Sequence, residues 1–191
     1  MNEKTKQILV YGVYIGLVNI AISVITYVFD LAFISMWSGT LIFLAVLIIN
    51  IALLVVFGRK LRDKFYDGVI KYSKALLNAF LMIICMSILS SIYDYSFHKL
   101  IAPDYQETSK IVIAERTSQS LYEKGLSEKE IDKITDTILD RPTPSAEKTV
   151  ALGLLGYFVM GLIYSLIAAA MIKKNPDIFQ DENMINTDTD V

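Results

Sequence analysis

One cysteine and one histidine in 191 residues leave this chain little reactive chemistry. Cys85 on its own forms no intrachain disulfide, so cysteine usage does not report the redox compartment. Its place inside a long apolar run makes it a small buried hydrophobe. With His98 as the lone imidazole, most familiar metal and hydrolase mechanisms are short of parts. No Walker-type glycine loop, nucleophile elbow or HExxH sequence occurs. The chain therefore reads as non-enzymatic, with no catalytic residue, cofactor or metal site. A net charge of −2 is too small to imply a nucleic-acid partner.

Charge is the second scarcity, and its distribution is informative. Only 20% of residues are charged against 54% hydrophobic, and four stretches carry no charge at all. Residues 8–29 give 22 such positions, 31–58 give 28, 75–93 give 19 and 149–172 give 24. A charge-free apolar run of about 18 residues or more is long enough to cross the hydrocarbon of a bilayer as a helix. Helix is the form an isolated segment takes there, because lipid offers the backbone no hydrogen bonds. Four crossings are predicted, at about 8–29, 37–58, 75–97 and 149–174. The lipid bilayer is the first implied partner. Lys4 and Lys6 give the first run the look of a secretory signal, but it is too long and lacks an A-x-A-like cleavage site, so it is expected to stay as a span.

Lysine and arginine set the orientation. Arg59, Lys60, Arg62, Lys64, Lys71 and Lys74 lie between spans two and three. Lys4 and Lys6 precede span one, and Lys173 and Lys174 close span four, while Asp30 to Ser38 holds no basic residue. Four crossings put all three basic flanks on one side. The expectation is a bacterial inner-membrane protein with both termini cytoplasmic and residues 98–148 extracytoplasmic. The basic run also carries Phe65, Tyr66 and Tyr72, a composition suited to anionic lipid. Residues 1–97 then form spans one to three, and 175–191, with an acidic stretch from Asp177 to Asp190, form a mobile cytoplasmic tail.

The insert at 98–148 has helical grammar. Asp104 to Lys124 is predicted as a helix ended by Gly125 at its C′ position. Ile111, Ala114, Ser118, Leu121 and Tyr122 would form its apolar seam. A second helix starts with Ser127 as N-cap and Glu130 as its reciprocal partner. It lines up Ile131, Ile134 and Ile138 and stops near Leu139, ahead of Pro142 and Pro144. Such a hairpin is too small for a core of its own.

Few residues stand out as candidate sites. Asp94 and His98 close the third apolar run, and Asp30 sits at the equivalent level after the first. The plainer reading makes Asp94 a marker of where the third helix meets water. The sharper one makes Asp30, Asp94 and His98 a polar cluster that binds a cation or relays a proton, since intramembrane acids are costly where they do no work. Gly12 and Gly16, and Gly161, Ser165 and Ala169, repeat at four-residue steps, with Gly153 and Gly156 upstream. That spacing lets helix backbones approach closely, within one bundle or between two copies in a homodimer. Asn19, Asn50 and Asn78 are single amides fit to hydrogen-bond between helices or to line a path.

Residues 66–109, YDGVIKYSKALLNAFLMIICMSILSSIYDYSFHKLIAPDYQET, resemble the third-span region of a bacterial membrane family catalogued as domain of unknown function 4199. The Tyr-x-Tyr span ending, the Ile-x-Pro-Asp after it, the Gly-x-Ser-Glu-x-Glu-Ile element at 125–131 and SLIAAAMIKK at 165–174 carry the likeness. It implies a four-span protein with a helical insert and supplies no functional residue. The fold expected is all-α, a four-helix transmembrane bundle with an extracytoplasmic helical hairpin between spans three and four. The function expected is that of an accessory, scaffolding or regulatory partner of another membrane protein. The alternative is a small transporter or channel subunit with Asp30 and Asp94 near the ion or proton path.

Overall fold

The computed structural model describes residues 2–35 and 37–175, so the acidic stretch at 177–190 lies outside the described residues. Among them are six α-helices: α1 (Glu3–Val28), α2 (Ser38–Phe65), α3 (Tyr72–Ser96), α4 (Tyr105–Glu123), α5 (Glu128–Leu139) and α6 (Ala146–Ile172). The fold is an all-α bundle. Four helices, α1, α2, α3 with its continuation to Ile101, and α6, are long and apolar enough to cross a membrane. Each exceeds the roughly 20 residues that about 30 Å of hydrocarbon requires.

α3 is the central helix, packed along α1 on one side and α6 on the other, while α2 closes against α6 and α1. Small residues explain the close approaches. A Cβ on Gly12 would lie 2.6 Å from Cys85 Cβ and 2.7 Å from the Met82 carbonyl oxygen of α3, and one on Gly16 would lie 2.9 Å from Leu89 Cδ2. On α6, Gly161 lies against Ile83, and Ser165 and Ala169 are fully buried. Gly12, Gly16 and Gly161 thus face α3 within the chain, as close backbone packing in lipid requires. Gly153 and Gly156, upstream on α6, have no neighbour that a Cβ would meet.

The two ends of the bundle differ, and the basic end is heavily tied. α2 runs to Phe65, two turns past the expected span end at Gly58, so half of the basic segment is helix. Arg62 donates from Nη1 to the Ile172 carbonyl at 3.2 Å, satisfying one of the last carbonyls of α6. Ile70 and Lys174 exchange two backbone hydrogen bonds of 3.1 and 3.2 Å. Lys4 and Asn78 both donate to the Tyr66 hydroxyl, at 3.2 and 2.9 Å. Nearer the middle, Asn19 and Asn50 pair their amides reciprocally, at 2.8 and 3.0 Å, joining α1 to α2.

At the other end α4 and α5 form the hairpin. α4 closes as a Schellman motif: Leu126 N–H donates to the Leu121 carbonyl at 3.2 Å and Gly125 N–H to the Tyr122 carbonyl at 2.9 Å. Gly125 takes φ +79°, a left-handed value that suits glycine. Glu130 accepts from the Ser127 N–H and hydroxyl at 3.2 and 2.7 Å, opening α5 as expected. The hairpin's core is small, with Ala114 and Ile131 buried in it. Ile111 and Tyr122, expected in the seam, are exposed instead, and of the predicted set Ala114 alone is buried.

Candidate functional site: a polar cavity at the hairpin end

Asp94 does not sit on a helix end. α3 continues past it to Ser96 and then, as a five-residue π-helical stretch, to Ile101. The carboxylate is half-buried and accepts a hydrogen bond of 3.0 Å from the Tyr157 hydroxyl on α6. The helix thus continues past Asp94, whose side chain turns toward α6. π-turns of this kind recur at functional sites because they re-aim side chains around the helix.

The carboxylate lines a half-open cavity of about 320 Å³ bounded by α1, α2, α3, the start of α4 and α6. That volume is at the small end of the range for small-molecule sites. Its polar lining comes from Asn19, Ser23 and Thr26 of α1 and from Ser90, Asp94 and His98. The cavity spans nine residues of α1, from Asn19 to Tyr27, so it reaches about 12 Å along the bundle. The Asn19–Asn50 pair marks its inner limit. Ser90 is 3% exposed, and neither its Oγ nor the Nδ1 of His98 has a hydrogen-bond partner. A buried polar atom left without a partner costs about 1–3 kcal/mol.

Aromatic rings form the rest of the wall. Tyr27 packs edge-on to Phe97 with centroids 4.9 Å apart, and Tyr105 does the same at 5.4 Å. Tyr27 and Tyr105 are 5.6 Å apart, and Tyr93 lies 5.9 Å from Phe97. Tyr27 and Tyr105 also line a second, outer depression together with Asp30, Asp104, Glu115 and Arg116. Burial pushes the Tyr105 phenol above its ordinary pKa, and the nearby Asp30 carboxylate pushes the same way.

Among the three polar residues grouped from sequence, the structure brings Asp94 and His98 to one cavity and places Asp30 outside it. Asp30 is exposed, with φ 49°, at the turn that follows α1, on the far side of the Tyr27–Tyr105 pair. Sequence reasoning missed Tyr157, Tyr27, Tyr105 and Ser90. The available signal was the phenol of Tyr157 inside a charge-free run, since a tyrosine hydroxyl taken out of water needs a partner.

The model of a family described as "Protein of unknown function (DUF4199)" matches residues 10–174. The chain belongs to the DUF4199 family. The match takes in α2, α3 and α6, α1 from residue 10 onward, the hairpin and every cavity-lining residue named above. No curated protein and no solved structure matches this DUF4199 chain.

Proposed function

We infer that this DUF4199 protein is a non-enzymatic accessory or regulatory partner of another membrane protein, acting through its hairpin. The orientation read from lysine and arginine makes the basic end cytoplasmic and the hairpin extracytoplasmic, in a bacterial inner membrane. One observation carries the reading. The α4–α5 hairpin is fastened at its base, through Tyr105 in the aromatic cluster and Gln106 Nε2 donating to Thr149 Oγ1 at 2.7 Å, and leaves Ile113, Tyr122, Ile134 and Leu139 exposed along its length. Aromatic and aliphatic side chains of that kind anchor protein interfaces. A photocrosslinking residue in place of Tyr122, activated in native membranes, is expected to give one discrete heteromeric adduct. The same probe at lipid-facing Val159 is expected to give none. No adduct at 122, or equal adducts from both positions, would count against the proposal.

The polar cavity favours a second reading, a solute- or ion-handling subunit. In proteoliposomes that reading predicts a flux that Asp94→Asn abolishes at unchanged folded yield. Absence of any flux from the unaltered chain removes it.

A further inference from the structure

We propose that the cavity between α1, α3 and α6 is a binding site for a small organic cation, with Asp94 as counter-charge and a tyrosine-rich wall as cage. The inference does not depend on what the hairpin contacts, because it concerns binding by the isolated chain.

The charge of the site sets the sign of the ligand. Asp94 is the one acidic residue lining the cavity, and no lysine or arginine lines it. Among the described residues, its one hydrogen-bond donor is the Tyr157 hydroxyl. A half-buried carboxylate with a single donor is under-compensated, and a cation beside it supplies what the protein does not. The wall sets the ligand's class. Tyr27, Tyr93, Phe97, Tyr105 and Tyr157 bring five aromatic rings to one space of about 320 Å³. Ring faces attract soft, weakly hydrated cations, and aromatic cages with a nearby carboxylate suit alkylammonium groups. A divalent metal fits poorly: no group of three or more His, Cys, Asp or Glu able to hold one occurs among the described residues.

Two further features point to a guest. Ser90 is nine-tenths buried and more, lines the cavity, and has no partner for its hydroxyl. His98 offers an unpartnered Nδ1 to the same region. Both suit a ligand carrying a hydroxyl or an N–H next to its charge. The access side is also acidic: Asp30, Asp104 and Glu115 against Arg116 line the outer depression, which shares Tyr27 and Tyr105 with the cavity. Such a rim raises the local concentration of cations, and the shared tyrosine pair stands between rim and cavity.

The test uses the full chain in nanodiscs and its own reporter. Cys85 packs at the α1–α3 contact, its Sγ 3.4 Å from the Leu9 carbonyl, so a thiol-reactive fluorophore reads unfolding. Melting is followed while (2-hydroxyethyl)trimethylammonium is titrated at constant ionic strength. The expected result is a saturable rise in Tm that the neutral isostere 3,3-dimethylbutan-1-ol and added sodium do not produce. Asp94→Asn is expected to weaken the response by about tenfold or more, as loss of a charged partner does. An equal rise with the isostere overturns charge recognition, and an equal rise with sodium overturns the ligand class. No saturable rise with any of the three means that water alone fills the cavity, and it overturns the site. If Asp94→Asn does not fold, the comparison among the three solutes on the unaltered chain still decides. A failed titration leaves the Tyr122 crosslink standing, so the two readings fail separately.

Discussion

At the basic end of the bundle the polar groups that leave water are paired, whereas at the hairpin end several are not. Tyr66, Asn78, Lys4 and Arg62 join α1, α2, α3 and α6 through side-chain hydrogen bonds, and Ile70 and Lys174 add a backbone bridge. Of the six buried side-chain polar atoms without a partner among the described residues, five belong to the hairpin half, on Ser90, Ser91, His98, Gln106 and Thr135, and one to Ser165. The glycines of the four long helices divide the same way. Gly58 touches Ile172 and Gly12 touches α3, while Gly153 and Gly156, toward the hairpin, face open space. The same four helices are therefore closed at one end and left apart at the other. Hydrogen bonds in lipid are worth only about 0.6–2 kcal/mol each, so a tight end is a sum of several and needs backbone contact as well.

The largest effect that could break this comparison is steric. Gly12→Leu drives a side chain into Cys85 and the Met82 carbonyl, a backbone atom that cannot move aside. Its expected cost is about 3 kcal/mol, at the upper end for overpacking. Gly153→Leu, with nothing within reach, is expected to stay within about 0.5 kcal/mol of the parent, as surface substitutions do. Reversible unfolding in mixed micelles, read at Cys85, measures both. Equal losses would mean that the hairpin half is packed as tightly as the basic half.

A smaller effect separates paired from unpaired hydroxyls. Tyr66→Phe removes the oxygen to which Lys4 and Asn78 donate and strands the amide of Asn78, which is 5% exposed. A loss of about 1–2 kcal/mol is expected. Ser90→Ala removes a buried hydroxyl that has no partner, and the unliganded chain is expected to keep or slightly gain stability. The same unfolding assay applies. A loss from Ser90→Ala matching that from Tyr66→Phe would show that a bound water or ligand already holds the hydroxyl.

The spans and the hairpin caps were legible because their signals are local. Length and missing charge mark a crossing, and Gly125, Ser127 and Glu130 announce helix ends from within a few residues. Facing was not legible. α1, α2, α3 and α6 are apolar around their whole circumference, since lipid and core ask for the same side chains, so helical periodicity does not say which way Asp94 points. Depth alone put Asp30 and Asp94 at one level. It took the π stretch after Ser96 and the phenol of Tyr157 to turn Asp94 inward, and the turn after α1 to leave Asp30 outside. The bridge between Ile70 and Lys174 joins residues 104 positions apart and left no trace in either segment.

The smallest expected effect concerns the hairpin itself. Glu130 is exposed, and its pKa lies below the ordinary glutamate value, first because the Ser127 hydroxyl donates to it and then because the Ser127 N–H does. A carboxylate whose folded pKa is depressed contributes stability that is full above its unfolded pKa, about 4.3, and is lost as pH falls through the folded value. The protection of amides in the first turn of α5, taken as exchange relative to the intrinsic rate at each pH, is therefore expected to fall on acidification below about pH 4, with protection near Ile70 and Lys174 unchanged, since no carboxylate holds that backbone bridge. Glu130→Gln keeps an acceptor oxygen and removes the titration, so its α5 protection is expected to be lower at neutral pH and flat with acidification. If both ends loosened together as the pH fell, the hairpin would be coupled to the basic end through α6, and the division of the bundle into a tied half and an open half would have to be given up.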